Sequence, residues 1–327
     1  MTIENAQRRE PPMIVALAGG VGGAKLAQGL AALAPHALTV VVNTADDFDL
    51  YGLRICPDLD TVLYTLAGIA DPANGWGIAG DTTATLEAIA RLGRDPWFKL
   101  GDRDLATHIV RTERLRGGAP LSTVTAELAA ALGVRATILP MTDDPVATMV
   151  ETPTGTLPFQ DYFVLRRQTD EVIGVTFAGI ERAAPAPGVL GAIAAADAIL
   201  FCPSNPFVSL GPILAVPGLA AAVAASPAPV VAVSPIVGGQ AIKGPAAKMF
   251  ASLGVEPSAL AVARHYAGQI DGLAIDEVDA AWAPAIAALG IRPLVTRTVM
   301  GGLADRTRLA AETVAFAAGL APVGSGA

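Results

Sequence analysis

Cysteine and histidine are scarce in these 327 residues, with 2 of the first and 3 of the second. Cys56 and Cys202 stand far apart and in no C-x-x-C arrangement, which speaks against a disulfide scaffold and for a reducing cytoplasm. His36, His108 and His265 are isolated along the chain, so a His/Cys zinc centre is not expected. Aromatic residues make up only 5% although 52% of the chain is hydrophobic, so alanine and aliphatics must build the core. No stretch reaches the roughly 18 uninterrupted apolar residues of a membrane helix; the nearest candidates are broken by Asp197 and by Pro217-Gly218. Residues 1–12 carry Glu4, Arg8, Arg9 and Glu10 without an apolar region, unlike a secretory signal, and read as a disordered tail. Lys and Arg form no runs and the net charge is −8, so neither nucleic acid nor a membrane is an expected partner. An acidic chain that binds a phosphorylated ligand must do so with backbone dipoles, a few local cations or a metal.

The chain does have glycine, and in one telling place. Met13 to Ala18 is an apolar run that reads as a buried strand, Gly19 to Gly23 holds four glycines, and from Ala24 the spacing of Leu26, Leu30 and Leu33 is helical. A strand that turns through glycine into a helix presents backbone N–H groups and a helix dipole to an anion, which makes Gly19, Gly20, Gly22 and Gly23, with Lys25 on the first helical turn, candidate ligands of a phosphate. The spacing is not G-x-G-x-x-G, because Lys25 stands where the third glycine belongs. Nor is it a P-loop, since Ala24 precedes Lys25 and Leu26 follows it. The purely structural alternative is a tight turn that lets helix and strand pack closely.

A second buried strand, Leu38 to Val42, delivers Asn43-Thr44-Ala45-Asp46-Asp47-Phe48-Asp49 at its carboxyl end, the edge at which open α/β sheets bind ligands. Three carboxylates in four residues beside a phosphate site invite a divalent cation, although an acidic, solvated loop has the same composition. Cys56-Pro57-Asp58-Leu59-Asp60-Thr61 then places two more carboxylates ahead of the apolar stretch Val62 to Leu66, where either is also suited to cap a helix. Residues 70–135 read as a helical insertion over the ligand edge, with helical patterns at Ala84–Leu92, Leu105–Leu115 and Ser122–Leu132. Trp76 and Trp97, at helix junctions, suit either the core or the face of a flat ligand. Val134–Leu139 reads as a strand, followed by a hairpin-like excursion over Ala147–Glu151 and residues 156–163, and by Val172–Phe177. Strands Ala198–Cys202 and Val230–Val233 follow, then Leu273–Ile275, a helix over Ala280–Leu289, Leu294–Val295 and a last helix from Arg306 to Ala318. The loop after the first of these holds Asn205 and Ser209; the loop after the second holds Gly238, Gly239 and Lys243, with Lys243 suited to a phosphate. The pattern is that of an α/β protein, a doubly wound, mostly parallel sheet in one domain over residues 13–320.

Six segments occur in order: Ala-Gly-Gly-Val-Gly-Gly-Ala-Lys (18–25), Asn-Thr-Ala-Asp-Asp (43–47), Cys-Pro-Asp-Leu-Asp-Thr (56–61), Phe-Gln-Asp-Tyr-Phe-Val (159–164), Cys-Pro-Ser-Asn-Pro (202–206) and Ser-Pro-Ile-Val-Gly-Gly-Gln-Ala-Ile-Lys-Gly-Pro (234–245). Together they resemble the 2-phospho-L-lactate transferases of deazaflavin coenzyme F-420 biosynthesis. The resemblance implies a Rossmann-like sheet with a helical insertion, a homodimer and a need for Mg²⁺. It also implies a reaction, in which a guanosine diphospho-activated three-carbon acid gives up its phospho-acid unit to the ribityl hydroxyl of the deazaflavin precursor Fo and GMP is released. On that reading the diphosphate lies against Gly19–Gly23, Mg²⁺ sits on Asp46 or Asp47 together with Asp60, and Asp47 or Asp58 takes the proton of the attacking hydroxyl. Asn43 stands among these acids; Asn205, Ser209, Gly238, Gly239 and Lys243 line the opposite wall, and Trp76 and Trp97 face the tricyclic ring.

The competing class is a nucleotide or nucleotide-sugar binding regulator of related fold that transfers nothing; five clustered carboxylates argue against it, since a binder has no need of them. An NAD-dependent dehydrogenase fits less well, because the glycine spacing fails and the second strand ends in Asn43. The choice among lactate, enolpyruvate and glycerate is not readable from these motifs.

Overall fold

The computed structural model of the chain describes residues 11–320, so all but the last two residues of the expected tail lie outside the described residues. Seven strands make the central sheet: β1 (Ile14–Ala18), β2 (Leu38–Val42), β3 (Thr137–Pro140), β4 (Ala198–Phe201), β5 (Val230–Val233), β6 (Gly272–Ile275) and β7 (Arg292–Val295). They lie in the order β7-β6-β5-β4-β1-β2-β3 and every pairing is parallel. Every residue of β1, β2, β4, β5 and β6 is buried, which is what unbroken apolar runs achieve when helices cover both faces.

Side chains of β1 divide between the two faces with the period of a strand. Ile14, Ala16 and Ala18 join one core with Leu26, Leu30, Leu59 and Leu309, while Val15 and Leu17 join the other with Val189, Ile213 and Val262. The first core is covered by helices α1 (Gly20–Leu33), α2 (Pro57–Leu66) and the later α5 (Leu121–Ala131) and α6 (Leu303–Ala318). Helices α3 (Ala84–Arg91) and α4 (Asp102–Arg116) complete the insertion between α2 and β3. The expected helix over residues 280–289 is a 3₁₀ turn, Glu277–Trp282, followed by the short helix Ala283–Ala287, with Pro284 at the junction where it cannot donate to a preceding turn. Among the described residues no single helix is long and apolar enough to cross a membrane.

The chain winds outward from β1 to β3 and then returns to the other side of β1 to form β4. A crevice therefore opens at the carboxyl ends of β1 and β4, the switch point at which such sheets take ligands. Two small antiparallel units flank it: the hairpin Phe48–Leu50 with Leu53–Ile55, and Ala147–Thr152 between Gly155–Pro158 and Gly174–Ala178. Helix α1 starts at Gly20, four residues earlier than the leucine spacing predicts, because glycine's low helix propensity hides the first turn from a pattern reading. Gly20 has φ +62, a left-handed conformation that turns the chain straight from strand to helix. A methyl group at Gly22 would stand 2.2 Å from the Pro203 carbonyl oxygen, so the helix approaches the loop after β4 as closely as backbone permits.

Candidate active site

A cavity of about 460 Å³ fills the crevice, in the range of small-molecule sites. Gly19, Gly20 and Gly22 form one side of it at the start of α1, whose N-cap residue, Gly19, makes no side-chain cap. The Gly19 N–H donates to Ser204 Oγ (3.0 Å), which donates in turn to the Gly19 carbonyl (2.8 Å), fixing the end of β1 to the loop after β4. The Asp58 carboxylate already sits at this helix start, where the Gly20 N–H bonds it, and the positive end of the dipole favours an anion there.

Asn43, directly after β2, is the hub of the acidic side. Its buried Nδ2 donates to Asp46 Oδ2 (3.1 Å), Asp58 Oδ2 (3.0 Å) and the Val208 carbonyl (3.2 Å), while its Oδ1 accepts from the Ala45 N–H (2.9 Å). Asp46, Asp47 and Asp58 are all buried. Among the described residues Asp46 Oδ1 and both oxygens of Asp47 lack a partner in good hydrogen-bond geometry, although Thr148 beside Asp46 and Cys56 beside Asp47 favour the ionised carboxylates. Burial drives all three carboxyls upward. Asp46 is held well above the usual carboxylate range by burial and then by the charge of Asp58. Asp47 rises to about 7 through burial, against the pull of Arg54 4.0 Å away, and Asp58 rises to about 6 through burial, against its bond from Asn43. Asp46, which lines the cavity with an unpartnered oxygen near the start of α1, is the kind of carboxylate donor that Mg²⁺ takes alongside phosphate oxygens, so the residues present fit that ion.

Asp60, two residues beyond Asp58, faces different company. Both its oxygens accept from the Arg111 guanidinium, Oδ2 from Nη1 at 3.0 Å and Oδ1 from Nη2. His108 Nδ1 stands 3.6 Å from Asp60, His108 Nε2 3.2 Å from Asp104 Oδ1, and Tyr64 donates its hydroxyl to Asp104 (2.8 Å). Asp104, His108 and Arg111 lie on one face of α4 at spacings of four and three. Burial would lift the Asp104 carboxyl, but the contacts of His108 and Tyr64 and the charge of Arg111 together outweigh it, and the group lies below the usual range. His108, isolated in sequence, thus joins Asp60 and Asp104 in a set whose ligand atoms lie within 4.8 Å of one another. That set already holds a buried guanidinium, which neutralises Asp60 without an added ion.

Sequence reasoning missed Tyr64, Asp104, His108 and Arg111. The helical spacing of the last three was visible; that the face they share points at Asp60 was not.

Asn205, Ser209 and Lys243 also line the cavity, but Ser209 packs directly against Gly19 rather than on an opposite wall. Asn205 caps the turn Pro206–Leu210 by accepting from the Phe207 N–H (2.8 Å) and the Val208 N–H (3.3 Å), so its Nδ2 is directed elsewhere, toward Met249. Lys243 donates to the Asn74 carbonyl across the cleft. Trp76 lines the cavity at 40% exposure with the Lys99 ammonium 5.8 Å from its ring centre. Trp97 also lines it, in a cluster with Phe48 and Phe98.

Several expected residues do not face this cavity. Gly23 is buried in α1 against Ala18 and Ser204. Lys25 projects from α1 toward the Met300 carbonyl (3.1 Å) and lines a separate pocket. Gly238 and Gly239 form the turn between Ile236–Val237 and Gln240–Ala241, with φ +57 and +78, as a two-residue hairpin turn demands. The Gly238 N–H donates to Asp279 (2.9 Å). Asn43 and Asp47 lie beneath the lining rather than on it. Cys56 and Cys202 are buried free thiols, and burial pushes Cys202 up to about 12, so neither is a nucleophile.

A family model described as 2-phospho-L-lactate transferase CofD matches residues 14–283. A phosphoenolpyruvate transferase of Streptomyces griseus is 50% identical over 286 residues, covering 85% of this chain and 90% of the relative. A 2-phospho-L-lactate transferase of Methanosarcina acetivorans is 42% identical over 302 residues, covering 92% and 97%. A crystal structure of a UPF0052 family member from Bacillus halodurans matches with a TM-score of 0.63 over 92% of this chain and 99% of that one; at 19% identity it shows the shared fold. The chain accordingly belongs to the 2-phospho-L-lactate transferase CofD family and is a transferase.

Proposed function

We propose that the protein transfers a phosphoenolpyruvyl unit from a guanosine diphosphate-activated donor to the ribityl hydroxyl of the deazaflavin Fo, releasing GMP, in coenzyme F-420 biosynthesis. The observation that carries the mechanism is that buried Asp46, with an unpartnered oxygen, and Asp58 line the same cavity as the start of α1. The choice of acid rests on the Streptomyces relatives, 46–50% identical and named phosphoenolpyruvate transferases.

In this reading the donor's diphosphate lies at Gly19, Gly20 and Gly22, with Lys243 and Asn205 elsewhere on the lining. Asp46, on the lining, would hold Mg²⁺ with Asp47 behind it, and the ion would supply neutralisation of charge on the phosphoryl oxygens. The Fo hydroxyl oxygen bonds to the phosphorus that bears the enolpyruvate, and the bond from that phosphorus to the oxygen of GMP breaks. Asp58, which lines the cavity and is held near 6, accepts the hydroxyl proton; a base with a pKa near the working pH suits that task. Asn43 orients Asp46 and Asp58 at once by bonding to both. No covalent intermediate is needed, so alignment of two bound substrates supplies most of the acceleration. Trp76 and Trp97 form the wall for the tricyclic ring. The working form is a cytoplasmic homodimer, which light scattering of the purified protein checks.

Mass spectrometry tests the reaction. Purified protein is incubated with Fo, Mg²⁺ and a mixture of guanosine-activated lactate, enolpyruvate and glycerate. A phosphoenolpyruvyl mass gain on Fo with GMP release is expected; a lactyl or glyceryl adduct overturns the choice of acid. No product, with guanine nucleotide bound in the absence of Mg²⁺, overturns the reaction itself.

A further inference from the structure

Lys25 and Arg306 remain unexplained by the cleft. Lys25 is on α1 and Arg306 on α6, two helices that pack along each other, and both line a second cavity of about 80 Å³. The turn at residues 71–77 separates this pocket from the main cleft: Asp71 and Gly75 face the pocket, while Asn74, Trp76 and Gly77 face the cleft. Every acceptor that the two cations reach is neutral. Lys25 Nζ donates to the Met300 carbonyl (3.1 Å); Arg306 donates to Gln28 Oε1 and to the Gly301 carbonyl (3.4 Å). Among the described residues neither has a carboxylate oxygen within 4 Å, and Arg306 Nε is buried without a partner. Asp71, which also lines the pocket, already accepts from the Ala73 N–H (2.8 Å), the Asn74 N–H (3.4 Å) and Asn74 Nδ2 (3.0 Å).

Two partly buried cations with no counter-ion are unfavourable to keep together, because each lacks water on one side and repels the other. Lys25 records that conflict: burial lowers its pKa, and the charges of Arg306 and Lys243 lower it further. We infer that the pocket is a second anion site, separate from the donor cleft, which takes a small tetrahedral oxyanion of the inorganic phosphate class. Its volume admits an ion of a few heavy atoms but no nucleotide, whose sites run to roughly 300 Å³ and more. The anion would lie behind the residue 71–77 turn, on whose cleft side Lys243 bonds the Asn74 carbonyl. Occupancy of the pocket therefore steadies the turn that faces the transferase substrates.

Titration with inorganic phosphate at constant ionic strength, followed by ³¹P NMR and by thermal denaturation, tests the site. The titration is run on the free protein and on protein saturated with GDP. One phosphate is expected to remain bound when GDP fills the donor cleft, whatever further phosphate the empty cleft takes in the free protein. Lys25→Met and Arg306→Met should each weaken it by about tenfold or more, as loss of a charge-assisted contact does, whereas Lys25→Arg keeps it. Should Lys25→Met fail to fold, Arg306→Gln on the other helix gives the same reading. Phosphate binding that disappears when GDP saturates the protein would place the ion in the donor cleft and overturn the inference. Binding unchanged in both variants means an adventitious ion only and overturns it too, as does no binding at all.

Discussion

Two groups of buried acids flank one cavity, and they are built to opposite rules. Asp46, Asp47 and Asp58 share a single amide donor, Asn43, for two of their number, and three of their oxygens lack a partner in good hydrogen-bond geometry. Asp60 and Asp104, which line the same cavity, are met by a guanidinium, an imidazole and a phenol. The first group is short of positive charge and the second is not. Counting carboxylates therefore overstates how much cation an acidic site calls for; unpartnered oxygens are the better measure, because a buried anion without a partner is what the fold cannot sustain alone.

The largest expected effect separates the two groups by their Mg²⁺ dependence. Asp46→Asn or Asp47→Asn should lower Mg²⁺-dependent turnover roughly a thousandfold, the scale of losing one preorganised electrostatic contact to the reacting phosphate. Each should also shift the Mg²⁺ concentration curve to higher values. Asp60→Asn should leave that curve where it is. Steady-state rates across a Mg²⁺ series decide it: an Asp60→Asn curve displaced as far as that of Asp46→Asn would break the comparison.

Next in size is the cost of disturbing the second group. Asp60→Asn leaves Arg111, itself almost wholly buried, without its carboxylate, and removal of one partner of a buried pair costs about 3–5 kcal/mol. Urea denaturation of Asp60→Asn should show that loss. Combining it with Arg111→Met should recover much of it, since no charge is then left unpaired. Additive losses in the double variant would mean that the two side chains act independently.

How much of this was legible in the chain follows from distance along it. The strand at residues 13–18 and its glycines announce the anion-binding turn because all the parts are neighbours. Lys25 misleads for a geometric reason: five residues after Gly20, at about 100° per residue, it has rotated away from the face that Gly20 presents. Gly238 and Gly239 have the composition of a phosphate loop, yet their conformation is that of a hairpin turn, and composition does not distinguish the two. The division of the acids was out of reach for another reason. Asp58 and Asp60 stand two apart on the first turn of α2, where successive side chains diverge by about 100°, so adjacent acids face different environments. The cation that claims Asp60 comes from 51 residues away, across the helical insertion.

The pH dependence of stability should have opposite signs in the two groups. In the metal-free protein Asp47, at about 7, and Asp58, at about 6, hold protons that the unfolded chain releases near its ordinary carboxylate value. Their contribution is therefore complete below about pH 4 and is lost as pH rises toward 7, amounting to a few kcal/mol. Asp104, whose pKa is depressed, contributes above the ordinary carboxylate range and loses its contribution as pH falls through its folded value. Melting temperatures from pH 4 to 8 in chelator should fall between about pH 4 and 7 and level off above for the wild type, and stay flatter for Asp47→Asn. Added Mg²⁺ should oppose the fall, because the ion favours ionised carboxylates. A wild-type profile as flat as that of Asp47→Asn would remove the reason to regard the first group as charge-starved.

The smallest effect tests whether the second group is self-contained. Tyr64 donates to Asp104 at 2.8 Å from α2, whose first turn also carries Asp60, so the bond joins α2 to α4. Tyr64→Phe removes one hydrogen bond to a charged acceptor and should cost about 1–3 kcal/mol in urea denaturation. Because His108 still contacts Asp104 and Arg111 still holds Asp60, neither acid becomes a free cation ligand. The Mg²⁺ concentration curve of Tyr64→Phe should then overlie that of the wild type. A displaced curve would mean that the two groups exchange charge through α2, since Asp58 and Asp60 share its first turn, and that a cation held at Asp46 senses the hydroxyl bonded to Asp104.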